Sequence, residues 1–310
     1  MKALRMGSRG SKLALVQTHE VQQTLTKAHP GISVSIQVIK TIGDRESEVP
    51  FSAIGAKGVF TKELDEALLA ERIDCATHSL KDLPSDLTKG VKLAAVSACI
   101  DPRDALVSRD NVKFSRLPEG SRIGTSSLRR AALLKRIRPD LVITELRGNV
   151  DTRLRKLDEG QVDAIVLAAA GLKRLGLGSR VTEFLDPHDF VPAIGQGLLA
   201  IVCRAKDFET QKLLAVLDDP SSHRMADAQR LFMAAMEGGC RVPLGCYAEE
   251  TGDRVRLIGF LATPDGKREI RESVEGTISQ VKVLAENLAQ RILKKGGDEI
   301  LRGLRAEVRS

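Results

Sequence analysis

His78-Ser79-Leu80-Lys81-Asp82 places an imidazole, a hydroxyl, an ammonium and a carboxylate in one short run, which Leu83-Pro84 then closes. A carboxylate with cationic neighbours suits general acid–base work, so Asp82 is the candidate acid or base. The plainer account is a polar loop in which Ser79 and Asp82 cap local backbone. There is no nucleophile elbow.

A second concentration of chemistry lies between Arg116 and Lys156. It holds eleven Lys or Arg, nine of them Arg, against four acids. Arginine presents a planar fork that matches carboxylate or phosphate, where lysine offers a point charge. A solvated helix face would explain the charge alone. Position argues for more. Gly124-Thr125-Ser126-Ser127 reads as a strand-to-helix turn, where unpaired N–H groups and the positive helix end favour an anion. Arg129 and Arg130 fall in the first helical turn, where cations oppose the dipole. A compensating anion is therefore expected. Arg147-Gly148-Asn149 closes the next strand, at the end where open α/β sheets bind ligands.

The third segment is Glu237-Gly238-Gly239-Cys240-Arg241-Val242-Pro243-Leu244-Gly245. A lone cysteine is usually a small buried hydrophobe. Here the flanking glycines suggest an exposed turn, and Arg241 favours the thiolate.

These residues need a scaffold. The chain has 310 residues, enough for two or three domains. Hydrophobic residues make up 42% and charged residues 29%, an ordinary globular balance that excludes disorder and collagen-like structure. With no Trp and one Tyr, the core must be aliphatic. The net charge of +7 asks for an anionic partner. Aromatic residues at 3% argue against a single-strand nucleic-acid reader, which needs stacking platforms. Five cysteines without paired spacing give neither a disulfide framework nor a zinc site. Leu13–Val16 is too short for a signal peptide's apolar core. The run from Ala164 to Leu172 is about half a membrane span. The expectation is a soluble cytoplasmic protein.

Strand-like and helix-like segments alternate over the first two-thirds. Helices are expected over Lys12–Ala28, Thr61–Arg72, from Ser127 to Arg138 and over Thr152–Asp158. Strands are expected at Val34–Val38, Ile73–Thr77, Lys92–Val96, Arg122–Gly124, Leu141–Leu146, Ala164–Ala169 and Leu198–Cys203. Such alternation predicts α/β lobes with mostly parallel sheets. Pro192–Gly197 reads as a hinge. The predicted organisation is one lobe from 1–98 and 198–217, a second from 99–197, a cleft between them, and a C-terminal α+β domain over 218–310. The connection from Gly43 to Gly58, about fifteen residues long, is expected to act as a lid.

These segments resemble the porphobilinogen deaminase (hydroxymethylbilane synthase) family. The resemblance runs through Gly7-Ser8-Arg9 to Gln17, Gly55–Phe60, His78–Pro84, Asp101–Ala105, Gly124–Arg130, Arg147–Val150 with Thr152-Arg153-Leu154, Ala169–Leu175, Pro192–Gly197 and Glu237–Gly245. It implies two lobes like type II periplasmic binding proteins and a third domain with a cysteine. It implies a dipyrromethane cofactor held through a thioether at Cys240, and Asp82 as the catalytic carboxylate. Cofactor and substrate would be cradled by Arg9, Ser11, Lys57, Phe60, Ser79, Lys81, Thr125, Ser126, Ser127, Arg129, Arg130, Arg147, Gly148, Asn149, Arg153, Arg174 and Gln196. The implied reaction joins four porphobilinogen units head to tail with loss of ammonia, then releases the linear tetrapyrrole by hydrolysis, on the route to haem. Partners would be porphobilinogen and polypyrrole intermediates, with no metal, nucleic acid or membrane, and the protein a monomer. Val202 stands where many relatives have Glu, and Ile42 where some have a basic residue, which bears on lobe packing and loop contacts. The rival reading is a non-catalytic small-anion-binding protein on the same fold.

Overall fold

The computed structural model describes residues 3–45, 58–236 and 242–309. In chain order the elements that matter to the site are β1 (Ala3–Ser8), α1 (Lys12–Ala28), β2 (Ser33–Val38), α2 (Ile42–Arg45), α3 (Lys62–Leu69), β3 (Cys75–Ser79), β4 (Val91–Val96), β5 (Asp104–Ser108), β6 (Arg122–Gly124), α4 (Leu128–Ile137), β7 (Val142–Thr144), α5 (Val150–Asp158), β8 (Ala164–Ala168), α6 (Ala169–Arg174), β9 (Glu183–Phe184), β10 (Leu199–Arg204), α7 (Phe208–Leu214), α8 (Pro220–Ala235), β11 (Leu244–Thr251), β12 (Arg254–Ala262), β13 (Glu269–Thr277), α9 (Val281–Ile292) and α10 (Asp298–Arg309). They form two compact units, one of 1–100 with 197–226 and one of 101–196 with 227–310.

The first unit is built on a sheet of order β2-β1-β3-β10-β4, in which β10 runs antiparallel to both neighbours. Strand β10 is buried on both faces, which is why it reads as an unbroken apolar run. Leu199, Ile201 and Cys203 join Leu4, Met6, Val21 and Leu25 on the α1 side. Ala200 and Val202 join Leu64, Leu68 and Ala76 on the α3 side. Val202 is fully buried in that apolar cluster, so an acid at this position would need a partner.

The second unit holds a sheet of order β7-β6-β8-β5-β9, with β5 antiparallel to β8 and β9. A three-stranded antiparallel sheet, β11-β12-β13, follows, with α9 against β12 and β13. Ile258, Phe260 and Ala262 of β12 share one core with Leu106, Ile123, Leu133 and Val166. The C-terminal α+β piece thus buries its sheet in the same unit as 101–196. The α/β class and the small C-terminal sheet agree with the expectation.

Element ends differ from the sequence reading. Helix α3 stops at Leu69 instead of Arg72, because Glu71 takes a left-handed conformation (φ 56°) and the Arg72 N–H turns back to Ala67 O. Strand β3 accordingly begins at Cys75. Helix α5 begins at Val150, since Asn149 takes the extended N-cap conformation. Of the proposed lid, residues 43–45 belong to the helical turn Ile42–Arg45, and 46–57 lie outside the described residues. Among the described residues, no helix is long and apolar enough to cross a membrane.

Candidate active site

In the first unit the functional side chains stand at the ends of β1 and β3. Asp82 ends a single 3-10 turn, Leu80–Asp82. Leu80 and Leu83 are buried anchors, the Leu80 N–H donates to Leu198 O (3.0 Å), and the Leu83 N–H closes on Leu80 O (3.1 Å). The turn is thereby fixed while Asp82 and Lys81 stay half-exposed. Among the described residues none donates a hydrogen bond to the Asp82 carboxylate.

Ser79 accepts a hydrogen bond from Gln17 Nε2 at 2.9 Å. Gln17 is buried on α1. Sequence reading quoted it without giving it this role, since its partner lies 62 residues away. His78 is 4% exposed and its Nε2 has no hydrogen-bond partner among the described residues. Burial, and then the nearby charge of Arg9, push it down to about 4, so the ring is neutral near pH 7.

Arg9, expected in the carboxylate cradle, already has an acid. Its Nη2 donates to Asp44 Oδ1 at 2.6 Å, and its guanidinium lies 4.1 Å from the Phe60 ring centre. Burial pushes the Asp44 carboxyl up, but hydrogen bonding and charge from Arg9 outweigh it and hold the group below its usual range. Ser11 is the N-cap of α1, accepting the Ala14 N–H at 3.3 Å. Ile42 donates its N–H to Glu63 Oε1 at 2.8 Å. Lys57 lies outside the described residues.

The second unit carries the arginines. Gly124 ends β6, and Thr125 Oγ1 accepts the Ser127 N–H at 3.1 Å. Ser127 caps α4 by accepting the Arg130 N–H at 3.4 Å. Arg129 and Arg130 then turn inward, both nearly buried. The compensating anion expected from the sequence is supplied by the protein itself, ahead of any substrate carboxylate. Asp104, fully buried at the start of β5, accepts Arg129 Nη2 (2.8 Å) and Arg130 Nη2 (2.6 Å) and Nε (2.9 Å). Gln196 Nε2 donates to Asp104 Oδ1 (3.1 Å) and to Pro102 O (2.8 Å). Burial alone pushes the Asp104 carboxyl up, and the two arginines reverse that and hold it below the usual range. Two cations share one carboxylate, so the cluster keeps a positive excess.

Arg153, on α5, donates Nε to Gly148 O at 2.8 Å and Nη2 to Ser126 Oγ at 3.5 Å. Gly148 has φ 112°, and a Cβ there would stand 2.7 Å from Thr152 Cγ2. Burial first, then the charges of Arg130 and Arg147, push Arg153 down to about 10. Arg147 lies 3.3 Å from the exposed Glu145. Arg174 is half-buried in the last turn of α6. The structure thus brings Arg130, Arg147, Arg153, Ser126 and Asn149 to neighbouring ends of β6 and β7. Cys240 lies outside the described residues. No group of three or more His, Cys, Asp or Glu among the described residues could hold a metal ion.

Two family models match in order: the porphobilinogen deaminase dipyromethane cofactor binding domain over residues 4–212, and the porphobilinogen deaminase C-terminal domain over 224–295. A porphobilinogen deaminase of Roseiflexus castenholzii is 50% identical over 301 residues, covering 97% of this chain and 99% of that one. Another, of Syntrophobacter fumaroxidans, is 44% identical over 300 residues, covering 97% of each. Among solved structures, the periplasmic VFT2 domain of Bordetella pertussis BvgS is 16% identical with a TM-score of 0.42, over 72% of this chain and 90% of that one. The probable amino-acid ABC transporter extracellular-binding protein YtmK of Bacillus subtilis is 13% identical with a TM-score of 0.42, over 73% and 96%. The family matches favour an enzyme over the non-catalytic anion binder, and by them the chain belongs to the porphobilinogen deaminase family, transferases that condense porphobilinogen on a dipyrromethane cofactor.

Proposed function

We propose a division of labour in which Asp82 handles protons and positive charge, Cys240 holds the dipyrromethane through a thioether, and the arginine cluster of the second unit holds carboxylates. The observation that carries this reading is a contrast. Asp82 is a carboxylate on a rigid turn with no hydrogen bond from a described residue, whereas Arg130, Arg147 and Arg153 stand close enough for their charges to act on one another, and the buried acid beside them, Asp104, is shared between Arg129 and Arg130. That donor set fits a polycarboxylate, because each pyrrole brings an acetate and a propionate. When bound, the dipyrromethane supplies the pyrrole carbon to which the first substrate pyrrole is joined.

Porphobilinogen loses its aminomethyl nitrogen as ammonia, leaving a planar, electron-poor azafulvene cation. As an acid, Asp82 gives the departing amine its proton; as a carboxylate it stabilises the cation that remains. Arg153 and its neighbours orient the side-chain carboxylates by charge-assisted hydrogen bonds. We also read the chain as a cytoplasmic monomer acting on porphobilinogen and polypyrrole products. The free thiols Cys75, Cys203 and Cys246 suit a reducing compartment, and light scattering reads the mass.

The test is Asp82→Asn. Ammonia release should fall by about 100- to 10,000-fold, with the melting temperature little changed. Near-normal turnover would remove Asp82 from the reaction.

A further inference from the structure

Strands β3 and β10 carry one cysteine each near the same end, and the register sets them directly opposite, with Cys75 the Cα partner of Cys203. Both thiols are free and fully buried. They come from the two chain segments, 1–100 and 197–226, that make up the first unit.

Backbone bonding decides how close they stand. Opposed residues of an antiparallel pair alternate between exchanging hydrogen bonds and facing each other without them. The second kind brings the Cα atoms closer, to about 4.5 Å. The Leu80 N–H donates to Leu198 O, so that position is bonded. The register then runs without a break from Ser79–Leu199 to Cys75–Cys203. Counting along it, Ser79, Thr77 and Cys75 fall at the non-bonded positions. The far side of β10 agrees: Leu199 O accepts the Ser97 N–H, and the Ala205 N–H donates to Gly90 O. Odd-numbered residues of this strand thus turn their backbone toward β4.

Opposed side chains share a face, and both cysteines join Met6 and Leu25 in the cluster on the α1 side. Cross-strand Cβ atoms stand about 4.5–5.5 Å apart, and a disulfide needs about 3.5–4.5 Å, so closure asks for a shift of about 1 Å. Cys203 Sγ donates to Arg204 O at 3.5 Å, a weak bond that a rotation of the side chain releases. Burial pushes the Cys75 thiol up, and burial followed by the charge of Asp207 pushes Cys203 up to about 11. A buried, protonated thiol is ordinarily inert. Here the pairing changes the outcome, because a sulfur that is once oxidised has its resolving thiol opposite. Cys246 is equally buried but faces Gly259 on β12.

We propose that Cys75 and Cys203 are a redox-sensitive pair: a peroxide joins them in a disulfide that staples β10, the strand re-entering the first unit, to β3, the strand that leads into the His78–Pro84 turn. Peroxide oxidises one thiol to a sulfenic acid and leaves as water. The other thiol displaces the sulfenic hydroxyl as a second water, and the S–S bond forms. Two thiols and one hydrogen peroxide become one disulfide and two waters, and the two electrons lost by sulfur reduce the peroxide. The staple closes a loop that contains all of residues 101–196, so it restrains the unfolded chain strongly. The inference stands apart from the proposed pyrrole chemistry.

The test treats the purified full chain with hydrogen peroxide, unfolds it in an alkylating agent and digests it without reduction. Cys75 and Cys203 should be recovered joined, in a peptide pair two hydrogens lighter than the separate peptides, and Cys246 recovered alkylated. Dithiothreitol should restore both thiols. The oxidised chain should melt about 5 °C above the reduced one, and peroxide should give no such rise in Cys75→Ala or Cys203→Ala. Should either variant fold poorly, the other serves as the control from its own strand. The proposal is overturned if both thiols are recovered alkylated after the exposed Cys99 has been oxidised, if either is linked to another cysteine, or if either carries a sulfinic or sulfonic acid instead of the link. A joined pair with an unchanged or lower melting temperature would also overturn it, as the mark of a link that distorts the sheet.

Discussion

The two units share one device and then diverge. In each, a strand, β1 or β6, runs into a helix capped by a serine, Ser11 or Ser127. Each sheet also contains one antiparallel strand, β10 or β5. The interiors beneath these ends differ in charge. Beneath its strand ends the first unit buries neutral polar groups, Ser8, Gln17, Thr18, Thr77 and an uncharged His78, and its buried acid, Asp65, lies apart on α3. The second buries Asp104 between two arginines. A neutral interior leaves Asp82 as the acid of the His78–Pro84 turn. A charged interior lets two arginines stand at a helix start, where the dipole opposes them, and still leaves a positive excess for carboxylates. In the proposed division of labour, one architecture serves proton chemistry in one unit and anion binding in the other.

The comparison breaks most readily at Asp104. Asp104→Asn leaves two buried guanidiniums without their anion, and loss of one partner from a buried ion pair costs about 3–5 kcal/mol. Urea unfolding should show a drop of that size; a change near zero would mean the arginines find compensation elsewhere.

Acid should then separate the units. His78 has its folded value lowered to about 4 from 6.5, so the unfolded chain binds more protons between those values. The stability it contributes is present above pH 6.5 and is lost as pH falls toward 4, by about 3 kcal/mol. The Asp104 carboxyl is held low instead, so its contribution persists to about pH 4 and is lost only below. Amide protection factors, which correct for the intrinsic slowing of exchange in acid, should therefore fall in β3 and β10 before they fall in β5 and β8 as pH drops from 7 to 5. His78→Asn should flatten the early loss. An equal loss of protection in both sheets would contradict the contrast.

The smallest effect is expected at Gln17. Gln17→Leu removes the donor to Ser79 and leaves a hydroxyl without its partner, at a cost of about 1 kcal/mol. Turnover should fall a few-fold with KM little changed, because Ser79 adjoins the proposed catalytic turn and not the arginine cluster. A rise in KM alone would move Ser79 to the binding side of the comparison.

What could be read from sequence followed range. Strand β10 was visible because a strand buried on both faces is apolar throughout. The Ser127 helix start was visible because capping is local. The end of α3 was missed, because the turn depends on a left-handed glutamate that no local pattern announces. Asp104 was quoted within Asp101–Ala105 but not seen as the counter-ion of Arg129 and Arg130, 25 and 26 residues away. Its burial and pairing arise only once β5 lies in the sheet. Cys240 stood out by its flanking glycines and Arg241, its attachment role came only from the family resemblance, and residues 237–241 lie outside the described ones.

The central claim, that this chain works through a pyrrole primer on one cysteine, is tested most directly by the intact mass of the purified protein beside that of Cys240→Ser. The account predicts a mass increment of two linked pyrrole units on the unsubstituted chain and the bare polypeptide mass, without activity, for Cys240→Ser. An unmodified yet active chain, or an increment that survives in Cys240→Ser, would contradict it.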